Sequence, residues 1–320
     1  MPMKIVVLDG ETMGMSADAW DGLRHLGEVE VYDRSSPEEV MARARTAGVL
    51  ITNKAPLSAE VIAQAPELRF ITLLATGFDP VDVAAARRRG IPVANVPEYG
   101  TDSVAQLTFA LLLELCNHVA LHAEAVRAGE WSRAPTFSFW KVPLIEVAGK
   151  TMGVVGFGHI GRRVGEVAHA FGMGVLAHDQ SQVNPPAYRP FAWADLDELF
   201  ARADVISLHC PLTPENVGLV DRRRLRLVKP TAYLLNTARG PLVAEEDLAE
   251  ALNEGRLAGA GLDVVAREPI RPDNPLLTAR NCLLTPHIGW ATVEARQRLL
   301  EAVVANVANF LAGTPTNVVN

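Results

Sequence analysis

Cysteine is scarce. The 320-residue chain has three, Cys116, Cys210 and Cys282, and no Cys-x-x-Cys pair. An odd, scattered set excludes a disulfide framework and fits a reducing cytoplasm. Cys210 follows His209 directly, and Cys282 precedes His287 by five residues. Neither has the ligand spacing of a zinc site, so no metal is expected. Glycine and proline together make 45 of 320 residues, far below the disordered range. Positive charge is not in excess: 30 Lys+Arg stand against 37 Asp+Glu, a net −7. A nucleic-acid partner would ask for a basic face, so none is expected. Small anionic substrates stay open, since one arginine can hold a carboxylate whatever the net charge. The longest apolar stretch, Val104 to Leu121, is interrupted by Gln106, Glu114, Asn117 and His118. It reads as a buried helix, and no membrane span is expected. Met1 to Asp9 shows no basic region, long apolar core or cleavage site, so no leader is expected.

What is present is ordinary globular composition, 49% hydrophobic and 21% charged. The length corresponds to two domains at about 150 residues each. Apolar runs at Lys4–Leu8, Val29–Tyr32, Val49–Thr52, Phe70–Ala75 and Pro92–Asn95 alternate with helical stretches, one starting at Pro37. This alternation predicts a parallel sheet covered on both faces. A long helix is expected from Val104, capped by Asp102-Ser103, and another from Ala291 to Leu311. Between them lies a second series of six strands: Thr151–Val155, Val175–His178, Val205–His209, Ala232–Asn236, Gly261–Val265 and Cys282–Thr285. That pattern predicts a doubly wound dinucleotide-binding domain over 102–287. The other domain is then discontinuous, 1–101 with 288–320.

Gly156-Phe-Gly158-His-Ile-Gly161 sits between the run Thr151–Val155 and a helical pattern from Arg162. The context gives each glycine a task. Gly156 allows the tight turn, Gly158 lets backbone approach a pyrophosphate, and Gly161 lets the helix pack on the strand. The helix N-terminus then offers N–H groups to the phosphates. Asp179 follows Gly161 by 18 residues, at the end of the next strand. A carboxylate there accepts bonds from ribose hydroxyls and repels a 2′-phosphate, which points to NAD over NADP.

Three further residues each stand just past a strand-like run: Arg239 after the fourth, Glu268 after the fifth and His287 after the sixth. Ligands in such folds bind outside the carboxyl ends of the strands, so the three converge on one cleft. The set suits chemistry on a carboxylic acid. Guanidinium grips carboxylate in bidentate fashion, and imidazole is the usual acid–base group near neutral pH. A neighbouring carboxylate keeps such a histidine protonated. Taken singly, each also has an ordinary reading: a capping arginine, a solvated turn carboxylate and a loop histidine. Arg222-Arg-Arg224 and Arg87-Arg-Arg89 read as solvated helix faces.

With these residues in place, the chain resembles the D-isomer-specific 2-hydroxyacid dehydrogenases over essentially its whole length. The markers are Val155–Gly161, His209-Cys-Pro-Leu-Thr-Pro-Glu-Asn216, Leu235-Asn-Thr-Ala-Arg-Gly240, Gly261-Leu-Asp263, Glu268-Pro269 and Thr285-Pro-His-Ile-Gly289. Ile51-Thr-Asn-Lys54, Thr101–Thr108, Phe137-Ser-Phe-Trp140 and Gly289-Trp-Ala-Thr292 are most similar to the glycerate dehydrogenase or hydroxypyruvate reductase branch. The resemblance implies an α/β fold of two domains, a doubly wound Rossmann NAD-binding domain and a smaller flavodoxin-like substrate domain. It implies reduction of a small 2-oxo acid, of hydroxypyruvate or glyoxylate type, by NADH.

The roles it implies are specific. Arg239 binds the substrate carboxylate, His287 exchanges the proton, and Glu268 holds His287. Asn53, Ala75, Thr76 and Gly77 contact substrate. Gly156, Gly158, His159, Ile160 and Gly161 meet the pyrophosphate, Asp179 the ribose, and Asp263 the nicotinamide amide. Thr108, Cys210, Thr213, Thr237, Ala238 and Gly289 line the cofactor. The loop Ala75-Thr-Gly-Phe-Asp79 departs from many relatives after its glycine, which bears on substrate identity. The apolar stretch 104–121 and the segment through Trp131 and Trp140 imply a homodimer. Two alternatives stand. One is another acid of the same family, such as a phosphorylated one held by Lys54 or Lys141. The other is a non-catalytic NAD(H)-sensing protein on the same scaffold.

Overall fold

A computed structural model of the chain describes residues 3–320. It separates into two compact units. One is the chain up to Gly100 together with Ala291–Asn320, and the other is Thr101–Trp290.

The first unit is built on five parallel strands: β1 (Lys4–Val7), β2 (Glu28–Val31), β3 (Val49–Thr52), β4 (Phe70–Leu73) and β5 (Val93–Ala94). Their order is β2-β1-β3-β4-β5, the flavodoxin-like arrangement that the family resemblance implied. β3 and β4 are buried along their whole length, as strands covered on both faces must be. The helix Pro37–Ala44 starts in a capping box, with Ser36 and Glu39 satisfying each other's backbone N–H groups. The chain returns to this unit as the helix Val293–Leu311, capped by Thr292. Leu299, Leu300, Val303 and Val307 point inward from it, each contributing about 1.5–3 kcal/mol by burial. Its Phe310 ring stacks on Phe70 of β4 at 4.5 Å.

The second unit carries seven parallel strands: β6 (Thr151–Val155), β7 (Gly174–His178), β8 (Phe191–Trp193), β9 (Val205–Leu208), β10 (Tyr233–Asn236), β11 (Gly259–Leu262) and β12 (Cys282–Leu284). The order β12-β11-β10-β9-β6-β7-β8 is the doubly wound dinucleotide-binding arrangement with one additional edge strand. Six strands were expected, and β8 is the one the sequence hides. It has three residues, lies at the sheet edge and follows Pro185, Pro186 and Pro190. Its apolar run, Phe191-Ala-Trp-Ala194, is short and stands directly behind a proline, so it does not stand out as a strand. Arg239, Glu268 and His287 therefore follow the fifth, sixth and seventh strands of the unit. β11 also begins and ends earlier than expected, so Asp263 is the first residue beyond it.

The expected single helix from Val104 to Leu121 is two helices, Thr101–Asn117 and Val119–Arg127, bent by 57°. His118 lies between them at φ 48°, in the left-handed region where a right-handed helix cannot continue. Asp102 and Ser103 lie inside the first helix rather than capping it. Asp102 pairs with Arg163 at 2.7 Å, and Ser103 Oγ donates to the Gly289 carbonyl at 2.5 Å. Among the described residues no single helix is long and apolar enough to cross a membrane. The run Arg222–Arg224 is not simply solvated: its guanidiniums pair with Asp197, Asp247 and Glu250. Arg89 likewise donates to the Ile62 and Ala65 carbonyls.

Candidate active site

The glycine loop joins β6 to the helix His159–Ala170. Gly156 has φ +89°, and a Cβ there would lie 2.4 Å from the Cys210 nitrogen. The turn therefore presses directly on the loop after β9. A Cβ on Gly161 would lie 2.0 Å from the Gly156 carbonyl oxygen, so the helix packs on the turn itself. Gly158 is different. It is the helix N-cap, it has no side-chain cap, and nothing lies within 4 Å of where its Cβ would be. Open space beside uncapped helix N–H groups is what a pyrophosphate requires, and the residues present fit a dinucleotide. His159 is exposed and Ile160 half-buried in the first turn.

Asp179 is the first residue past β7. Its carboxylate accepts from the Phe157 N–H at 2.7 Å and from the Ser181 N–H at 2.9 Å. A carboxylate has about four acceptor positions, which leaves capacity for hydroxyl donors. The Cys210 thiol is pushed up to about 11, mainly by burial and further by the charge of Asp179. It is a neutral wall of the loop. Thr108 is buried in the helix Thr101–Asn117 and lies 3.1 Å from Thr237 across its hydroxyl oxygens. Thr213 caps the short turn Pro214–Asn216, its N–H donating to the Asn216 side chain.

The loop after β10 carries Arg239. Asn236 fixes it at both ends, donating to the Arg239 carbonyl at 2.9 Å and accepting from the Ala238 N–H at 3.0 Å. A Cβ on the next residue, Gly240, would collide with Val265 backbone at 1.9 Å, so only glycine lets these loops cross. The loop after β12 carries His287 at φ +56°. Asp263 holds it on both sides. Its buried carboxylate accepts from Thr285 Oγ1 at 2.6 Å, the Ile288 N–H at 2.9 Å and the Gly289 N–H at 2.7 Å. Its carbonyl accepts from the His287 N–H at 2.8 Å. Glu268 Oε2 lies 2.7 Å from His287 Nδ1. A carboxylate only accepts, so Nδ1 carries a hydrogen and Nε2 is left for other chemistry.

The structure thus joins Glu268 to His287 and puts Arg239, Thr237 and Ala238 on one pinned loop. Asp263, assigned by resemblance to the nicotinamide amide, also anchors the His287 loop with the hydrogen bonds described. Asn53, Ala75, Thr76 and Gly77 lie in the other unit. Asn53 is buried and donates from Nδ2 to Thr12 Oγ1 at 3.0 Å. Ala75–Gly77 follow β4, with Thr76 Oγ1 donating to the Val96 carbonyl at 2.7 Å. Asn236 and Thr285 were not singled out from sequence. Their signal is a polar residue closing an apolar strand run.

A profile described as "D-isomer specific 2-hydroxyacid dehydrogenase, NAD binding domain" matches residues 109–289, more than half of the chain. The chain belongs to the D-isomer-specific 2-hydroxyacid dehydrogenases. The dehydrogenase is 49% identical over 321 residues to a hydroxypyruvate reductase of Blautia hydrogenotrophica, covering 99% of this chain and 100% of that one. It is 37% identical to a glycerate dehydrogenase of Methylorubrum extorquens, covering 100% and 99%. Among solved structures, the TT0316 protein of Thermus thermophilus matches with a TM-score of 0.88 at 40% identity, over 99% of this chain and 100% of that one. The dehydrogenase is accordingly an oxidoreductase that acts on 2-hydroxy and 2-oxo acids with a nicotinamide cofactor.

Proposed function

We propose that the dehydrogenase reduces hydroxypyruvate, and glyoxylate with it, to the D-2-hydroxy acid using NADH. The observation that carries this reading is the Glu268–His287 pair at 2.7 Å on a loop that Asp263 holds rigid. The bound nicotinamide supplies the hydride to C2 of the acid. Arg239 grips the substrate carboxylate and stabilises the charge that develops on the 2-oxo oxygen. Nε2 of His287 delivers the proton to that oxygen, and Glu268 fixes the ring and balances its charge. In the opposite direction Nε2 takes the proton from the hydroxyl.

Gly158, His159 and Ile160 hold the pyrophosphate, and Thr108, Thr213, Cys210, Thr237, Ala238 and Gly289 border the cofactor. NAD over NADP rests on Asp179, whose carboxylate would face a 2′-phosphate as like charge. Asn53, Ala75, Thr76 and Gly77 are proposed as further substrate contacts, which the KM of Asn53→Ala tests. The division of labour proposed is substrate domain for 1–101 with 288–320 and cofactor domain for 102–287. A homodimer is supported by the exposed apolar segment of the second unit, where Trp131, Phe137 and Trp140 are 53%, 90% and 70% exposed. Residence in the cytoplasm is supported by three free thiols.

The test is NADH and NADPH oxidation with hydroxypyruvate, glyoxylate, pyruvate and phosphohydroxypyruvate. Turnover fastest with NADH and hydroxypyruvate is expected. Turnover with phosphohydroxypyruvate alone would replace the substrate while keeping the chemistry.

A further inference from the structure

In the first unit the order β2-β1-β3-β4-β5 reverses direction between β1 and β3. In open α/β sheets that crevice is where ligands lodge. Here it holds a carboxylate of the chain itself. Asp9, two residues past β1, is 6% exposed. It accepts from three consecutive backbone N–H groups of the loop after β3: Asn53 at 2.8 Å, Lys54 at 2.5 Å and Ala55 at 2.9 Å. Three successive amides turned onto one anion make the concavity that elsewhere captures phosphate.

The side chain of Asn53 is referred to the same residue. Thr12 Oγ1 donates to the Asp9 carbonyl at 2.9 Å and accepts from Asn53 Nδ2 at 3.0 Å. Both the backbone and the amide of Asn53 are therefore fixed relative to Asp9. The Lys54 side chain, held at its own N–H, projects exposed from the same turn. The carboxylate matches the arrangement around Asp263, which holds the His287 loop in the second unit.

We propose that Asp9 is a positioning residue, an internal anion that occupies the crevice and sets Asn53 for substrate. This rests on the reading of Asn53 as a substrate contact. A charged acceptor shared by three amides has no neutral equivalent, so its loss frees the loop without touching the cofactor loop of the other unit.

The test compares wild type, Asp9→Asn, Asp9→Ala and Asn53→Ala in hydroxypyruvate kinetics and in NADH affinity by fluorescence titration. Both Asp9 variants should raise the hydroxypyruvate KM about tenfold or more, with kcat and NADH affinity nearly unchanged. Formate should raise the KM of wild type by competing with substrate, and raise that of Asp9→Ala by a smaller factor because it also re-enters the amide cradle. An unchanged KM in folded Asp9→Asn overturns the proposal. So does a raised KM with parallel losses of kcat and NADH affinity, or formate raising the KM of Asp9→Ala by the same factor as in wild type. Asn53→Ala separates the two readings. An unchanged KM there overturns Asn53 as a substrate contact and the proposal with it. A raised KM there with normal Asp9→Asn overturns the role of Asp9 alone. Hydrogen exchange on the wild type needs no variant: the Asn53, Lys54 and Ala55 amides should be protected, and exchange at open-loop rates overturns the cradle.

Discussion

Glu268 Oε2 meets His287 Nδ1 at 2.7 Å although the two residues follow different strands, β11 and β12. The pair exists because both loops are fixed, one by the crossing at Gly240 and the other by Asp263. Glu268→Gln keeps a hydrogen-bond acceptor for Nδ1 and removes the charge. The kcat/KM of hydroxypyruvate reduction should then fall about tenfold or more, because no charge balances the ring while it handles the proton. Equal kcat/KM values for the two proteins would show that the charge is idle.

Asp179 is the second lever. Its carboxylate already binds the Phe157 and Ser181 N–H groups, so its place is set before any cofactor arrives. Asp179→Ser should raise the NADPH-to-NADH ratio of kcat/KM about tenfold or more, chiefly by removing repulsion of the 2′-phosphate. An unchanged ratio would remove Asp179 from cofactor choice.

His209 makes a pH prediction of another kind. Its ring lies 2.7 Å from Ser207 Oγ through Nε2, and its Nδ1 is buried. Burial holds the imidazole neutral, pushed down to about 3 from an ordinary 6.5. The unfolded chain takes up this proton below 6.5 while the folded one resists it down to about 3. Stability from this residue is therefore full above 6.5 and is lost as pH falls through that window. Urea midpoints should drop between about pH 7 and about pH 5, and His209→Gln should flatten part of that drop. An identical slope in the variant would contradict the assignment.

The three thiols should be inert. Cys116 is a core residue whose thiol burial pushes up, Cys210 stands at about 11 and Cys282 at about 12, each mainly through burial. Thiolate is the reactive form. At about pH 8 a disulfide reagent should find no fast thiol in the native protein and three after unfolding. A fast thiol in the native state would show that Cys210 is activated rather than suppressed.

Local chemistry was legible in the sequence. The glycine loop and the strand-end Arg239, Glu268 and His287 declare themselves in runs of five to ten residues, and the doubly wound sheet in the succession of strands from Thr151 to Thr285. What stayed hidden depends on distance or on a weak local signal. β8 is three residues behind a proline-rich loop, and the break at His118 rests on one backbone angle. The carboxylates that hold the site in shape were the hardest to see. Asp9 reaches across 44 to 46 residues to Asn53–Ala55, and Asp263 across 22 to 26 to the His287 loop. No motif announces a carboxylate whose partners are backbone amides of another strand's loop. Asp263 was marked in the sequence by resemblance alone, and its hold on the His287 loop shows only in the structure.

The most direct test of the central claim is the rate of NADH oxidation by hydroxypyruvate in wild type and His287→Ala, with NADH affinity measured in both. Wild type should turn over on the order of 1–1,000 per second. His287→Ala should lose about 100- to 10,000-fold in kcat while binding NADH normally. A variant that reduces hydroxypyruvate at the wild-type rate would contradict the account, because Nε2 of His287 would then not be the source of the proton.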